Sequence, residues 1–239
     1  MPRGNRTLTS SSPSVELRSE LAGWPRQGNP RWRQAIPVLC VRRAMGSWSS
    51  TFRQPEVPPV SDLARHIVQI SLSDADALKS SISATADKDH TQRWFAIVCE
   101  FLYFFMHLAS RFAYRDFGHE KRCKMQDQLY PLIIRPTIET IFGHWPPNLK
   151  DGLETEFIEK LGHAETEYAV CKQLLNRDNP LSENALSSKF AGNVCILLGV
   201  EKANTTTYAA SFMKVMELAT DSFSQLALRE KIRAIGKGL

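Results

Sequence analysis

The sequence predicts an all-α protein, an antiparallel helical bundle of about six to seven helices behind a disordered N-terminal leader. Three observations predict it. From Ser61 onward apolar residues recur at helical spacing, helix-start and helix-stop residues fall in step with that spacing, and no stretch alternates as a strand would. With 43% apolar residues in a 239-residue chain there is enough hydrophobic material for a buried core.

After the proline-rich stretch Pro55 to Pro59, Leu63, Ile67 and Ile70 mark a short first helix. Ser73 with Asp76 three residues on resembles a capping box, and predicts a second short helix through Leu78 and Ile82. Both are expected at the periphery. Asp89 with Gln92 opens a third helix that runs to about Asp116 and stops at Gly118. A fourth runs from about His119 to Phe142, where Gly143 ends it. Pro131 and Pro136 each remove an internal hydrogen bond and are expected to kink or split it.

The loop at His144 to Pro147 leads to Asn148, an expected N-cap with Asp151 at its third position. Beyond it lies the most regular pattern in the chain. Leu153, Phe157, Leu161, Ala164, Tyr168, Cys171 and Leu175 advance by 4, 4, 3, 4, 3, 4, the seam of a long antiparallel bundle helix closed by the turn Asn176 to Pro180. Leu186, Phe190, Val194 and Leu197 define a sixth helix ending at Gly199. Tyr208, Phe212, Val215, Ala219 and Phe223 define a seventh, expected to break near Thr220 to Ser222. Four longer helices with short connections then form an up-and-down core, with the first, second and sixth packed upon it.

Residues 1–50 read as a basic leader and 51–239 as a single helical domain. The charge is confined to the leader: residues 1–44 carry eight Arg against Glu16 and Glu20, net +6, whereas the remainder has 22 Lys and Arg against 23 Asp and Glu, net −1. The basic balance of the whole chain is therefore no sign of a nucleic-acid-binding domain. The leader has five prolines, no lysine and no periodic apolar face to bury, so it is expected to be disordered. Its apolar run Ile36 to Val41 is too short for a secretory signal, and its prolines break the amphipathic helix of a mitochondrial transit peptide. An Arg-, Pro-, Gly- and Ser-rich stretch is also what GC-rich non-coding sequence encodes, which makes Met45 the expected true start. A flexible tail and a basic arm are the remaining readings.

Cys40, Cys99, Cys123, Cys171 and Cys195 are widely spaced and form no C-x-x-C pair, so they are expected to be small buried hydrophobes in a reducing, cytoplasmic setting. The segment Trp94 to Ala109 is the most apolar, yet Glu100, His107 and Arg111 interrupt it and argue against a membrane span. Arg93, Glu100, His107 and Arg111 fall on one narrow stripe, expected to be a solvated edge, with a buried polar network or a ligand site as alternatives.

A cationic corner of Arg111, Arg115, Lys121, Arg122 and Lys124 surrounds Gly118, where a helix start plus several cations offers a candidate phosphate site. The ligand-binding candidates are accordingly Glu100, His107, Arg111, Arg115, Lys121 and Arg122. No metal site is expected: Asp87 before His90 and Asp116 before His119 sit at helix ends, and the Glu-x-x-His pairs of bundle di-metal centres are absent. Glu159 and His163, four apart, read as a surface pair. No cofactor motif and no catalytic set stands out.

The third helix carries more apolar surface than one packed face needs, and Trp94, Phe101, Phe104, Phe105 and Leu108 are candidate interface residues of a homodimer or of a protein partner. The functional expectation is an interaction or scaffold protein working through helix contacts. The alternative is a small-ligand or phosphate-binding bundle, conceivably an enzyme, using Glu100, His107 and the cationic corner.

Overall fold

In a computed structural model, described for residues 59–81, 90–174 and 184–239, the chain is all-α. The leader, the start at Met45, Cys40, Asp87, Leu175 and the turn Asn176 to Pro180 lie outside the described residues. Six α-helices and no strand are present among those described: α1 Pro59–Ala77, α2 His90–Phe142, α3 Pro147–Ala169, α4 Leu186–Leu197, α5 Thr205–Leu226 and α6 Leu228–Gly238.

Helix α2 is the spine. It packs against α1, α3, α4 and α6, while α5 closes the assembly through α4 and α1. Ile97, Val98, Phe101, Leu102, Phe105, Met106 and Leu108 are all fully enclosed, around nearly the whole circumference of the first half of α2. Phe104 stacks on Phe190 of α4 at 4.3 Å between ring centroids, and Tyr103 meets Phe157 of α3 edge-on at 4.9 Å.

Gly118 is the one residue inside α2 that leaves helical geometry, with φ 81 and ψ −172. That backbone region is open essentially to glycine alone, so the stop expected at Gly118 is a sharp redirection between two halves of one long element. Immediately before it, Phe117 lies flat on Gly236 of α6, where any added Cβ would fall 2.2 Å from the ring. The redirection thus docks the last helix.

Several expectations are corrected. Ser73 opens no second helix: it lies inside α1, which runs unbroken to Ala77 and is followed only by a short 3-10 turn, Lys79–Ser81. Nor is α1 peripheral, since Leu63, Ile67, Ala75 and Leu78 are buried against α2 and its neighbours. Pro131 and Pro136 do not interrupt α2. Both are exposed, as is Asp127, the residue four before Pro131. The N-cap of α3 is Pro146 and not Asn148, with Pro147 at the first helical position. The seam Phe157, Leu161, Ala164 and Tyr168 is buried as its spacing requires, but α3 ends at Ala169, and Cys171 and Leu174 enter the core from the chain beyond it. The C-terminal break falls at Ala227, a left-handed residue with φ 43, and not at Thr220 to Ser222.

A Cβ at position 118 meets no atom within 4 Å, so Gly118→Ala isolates the backbone strain from any clash. It is expected to destabilise by about 1–3 kcal/mol in urea denaturation; no measurable loss would show that the two halves of α2 do not depend on this geometry.

Candidate functional site

Three members of the polar stripe on α2, Glu100, His107 and Arg111, form a buried network and not a solvated edge, because α3 and α4 cover them and supply their partners, while Arg93 is half-buried outside it. Glu100 accepts hydrogen bonds from the Tyr168 hydroxyl of α3 and from Asn193 Nδ2 of α4 at 2.8 Å. Asn193 also donates to Glu167 at 3.2 Å, and Glu167 pairs with Lys189 at 2.6 Å. Burial pushes the Glu100 carboxyl above its ordinary range, against the pull of its two donors.

One turn pair further along, His107 Nδ1 lies 2.8 Å from Glu165 Oε2. The other Glu165 oxygen accepts from Tyr130 at 3.1 Å, and Gln126 donates both to Tyr130 and, at 3.1 Å, to Ser110. Burial raises the Glu165 carboxyl, but His107, Tyr130 and Arg122 together outweigh it and hold the group below its usual range. Burial first, then Arg111 and Arg122, push the imidazole of His107 below its ordinary value against the attraction of Glu165. The ring is therefore neutral, with its hydrogen on Nδ1 facing the carboxylate and a lone pair on Nε2.

The cationic corner has a different role from the one its sequence suggests. Arg111 is buried and its Nη2 donates to the carbonyls of Tyr168 at 2.8 Å and Cys171 at 2.6 Å, so it caps the open end of α3. Lys121 donates to the Gly236 carbonyl at 3.0 Å and caps α6 in the same way. Arg115 and Arg233 share Asp116, at 2.9 and 3.1 Å, and Lys124 pairs with Glu120. Arg122 is buried, its guanidinium 5.6 Å from the Tyr114 ring. Arg111 and Lys121 are thus engaged at helix ends, and Arg115 and Lys124 with neighbouring carboxylates. Glu159 and His163 are both exposed, as expected.

The interface candidates are corrected too. Phe101, Phe104, Phe105 and Leu108 are at most 3% exposed within a single chain, so they form the core and no surface. Trp94 is half-buried beside Lys79, whose ammonium stands 4.8 Å over its ring. Helix α2 is long and apolar enough to cross a membrane by length and composition, yet 78% of its apolar window is enclosed by the rest of the protein.

Among the described residues no group of three or more His, Cys, Asp or Glu is placed to hold a metal ion. Cys99, Cys171 and Cys195 are buried and burial holds their thiols above the ordinary range, Cys195 at about 11. Cys123 departs from the expected burial, being partly exposed with its sulfur 3.7 Å from His119 Nε2.

Two surface depressions stand out among the described residues. One, of about 40 Å³, is apolar and lined by Leu108, Leu174, Met216 and Phe223; the other, of about 400 Å³, is lined by Asp76, Lys79, His90, Thr91, Trp94 and Thr140. Neither reaches His107 or Glu165. The network has the parts of a carboxylate-oriented base, enclosed between helices, and it joins α2 to α3 and α4.

Sequence reasoning missed Glu165, Tyr130, Gln126 and Asn193. Glu165 flanks the α3 seam beside Ala164, a position that serves a surface carboxylate equally well. It missed Asp74 as well, buried on α1 and accepting from Ser222 of α5 at 2.7 Å. Comparison with protein-family models, with curated proteins and with solved structures finds no match to this chain.

Burial raises the Asp74 carboxyl from 3.8 to about 6, with Asp221 adding to the rise and Ser222 opposing it. Between those values the folded chain holds a proton that the unfolded chain has released. This contribution to stability is complete below pH 3.8 and lost as pH rises through about 6. Asp74→Asn is expected to remove that decline, so that urea midpoints of variant and parent diverge from pH 4 to pH 7 in favour of the variant; parallel profiles would contradict the assignment.

Proposed function

We propose that this chain is a helical interaction protein that acts through its exposed helix faces. One observation carries the reading: the side chains best suited to chemistry, Glu100, His107, Arg111 and Glu165, are covered and committed to one another or to helix ends. What remains outward is helix surface. On α3 Asp151, Glu156 and Glu159 face solvent, a surface suited to a basic protein segment. The large exposed apolar residues Val170, Ile196 and Met213 lie on separate helices or their ends, available as contact points. Buried thiols at Cys99, Cys171 and Cys195 support a reducing, cytoplasmic setting for this activity.

A second reading has its own observation. The groove beside Trp94 combines an aromatic face with Lys79, Asp76 and His90, and suits a small polar ligand better than the buried network does.

Native mass spectrometry and light scattering coupled to size exclusion separate these readings. An interaction protein is expected to carry no retained small molecule, and to form a homomeric or heteromeric complex that Glu156→Lys with Glu159→Lys weakens at unchanged melting temperature. Retention of a stoichiometric small molecule or metal by the purified chain would overturn the interaction reading.

A further inference from the structure

We propose that the His107–Glu165 contact is an acid-sensitive clasp between α2 and α3, shut while the imidazole is neutral and forced open when Nε2 takes up a proton. The neutral ring fits its surroundings. Nδ1 faces Glu165 at 2.8 Å, the His107 side chain is only 5% exposed, and Nε2 is enclosed with no hydrogen-bond partner among the described residues. A lone pair without a donor costs less there than a charged N–H without an acceptor. An N–H bearing positive charge, enclosed and with no acceptor, loses its hydration and gains nothing in exchange.

The charged and titratable groups facing the ring decide the sign. From α2 come Arg111 and Arg122, both cationic and both buried, together with Tyr130, whose hydroxyl is spent on Glu165. From α3 come Glu165 and Tyr168, the latter ring 5.5 Å from the imidazole and donating its hydroxyl to Glu100. One carboxylate therefore attracts the imidazolium, while two guanidinium groups and complete enclosure oppose it. Arg111 cannot withdraw without surrendering the carbonyls of Tyr168 and Cys171. The same guanidinium that disfavours the proton also fixes the end of α3, so the clasp and the helix end are mechanically one unit.

The direction of the pH response follows. His107 is held below its ordinary 6.5, so as pH falls through that value the unfolded chain binds a proton that the folded chain refuses, and the folded form loses ground. For one proton wholly refused, the unfolding equilibrium constant at pH 5.5 is about tenfold that at pH 7.5. Asp74 drives the opposite trend up to about pH 6, so the reading must isolate His107.

Two measurements on the full chain do so. In nitrogen-15 NMR of the histidine rings, His107 is expected to stay neutral with hydrogen on Nδ1 at pH 5.5, where an ordinary histidine is mostly protonated. Titration of His107 at or above 6.5 would overturn the proposal. In urea unfolding, His107→Asn keeps a donor near Glu165 and cannot titrate. The ratio of parent to variant unfolding constants is expected to rise between pH 7.5 and 5.5, by up to about tenfold, and a constant ratio would likewise overturn it. Should the variant fail to fold, the ring spectra of the parent decide alone.

Discussion

A helix that is apolar around nearly its whole circumference must be enclosed on all sides, and the rest of this structure follows from meeting that demand for α2. Two packed faces would leave aromatic surface in water at roughly 25 cal/mol per Å². Helices α1, α3 and α4 surround the first half, with Phe104 and Phe101 against Phe190 and Tyr103 against Phe157. The short helices are therefore as necessary as the long ones. What a bundle of four long helices would achieve by length, this chain achieves by gathering its other helices about one spine.

Enclosure on all sides sets the second constraint. Any polar group on the spine has to be answered by the helices that cover it, since an unpaired buried group costs about 1–3 kcal/mol. Glu100 and His107 are answered by Tyr168, Asn193 and Glu165, and each bond fixes the rotation of α3 or α4 about its own axis. Leucine contacts alone tolerate a slip of register more easily than such a set does. Arg111 and Lys121 extend the same logic to helix ends, where they donate to carbonyls at the ends of α3 and α6. Arg111, Lys121 and Asp116 near Gly118 thus tie distant segments together, to the end of α3, the end of α6 and Arg233.

Legibility in the sequence tracks how local each determinant is. The helical class, the seam Phe157 to Tyr168 and the stop at Gly118 depend on spacing and on one residue's backbone, and all were readable. The continuity of α1 through Ser73 was not. A serine three residues before an aspartate caps a helix only if the chain turns there, and Asp74 and Ala75, buried against neighbours, keep it helical instead. Pro131 and Pro136 leave the helix unsplit, since each lies on its exposed face and the one departure from helical backbone falls at Gly118. The stripe at Glu100, His107 and Arg111 has one pattern for both an exposed edge and a buried network. Its partners lie 57 to 93 residues away, and no local rule pairs them.

The account rests on the spine being covered by its own chain. Hydrogen exchange of the native protein, followed by mass spectrometry at submicromolar concentration, tests this most directly. The account predicts that amides 97–113 of α2 exchange slowest in the molecule, at the rate of global unfolding and independent of protein concentration. Exchange there as fast as on the exposed face of α5, or protection that appears only as concentration rises, would contradict it.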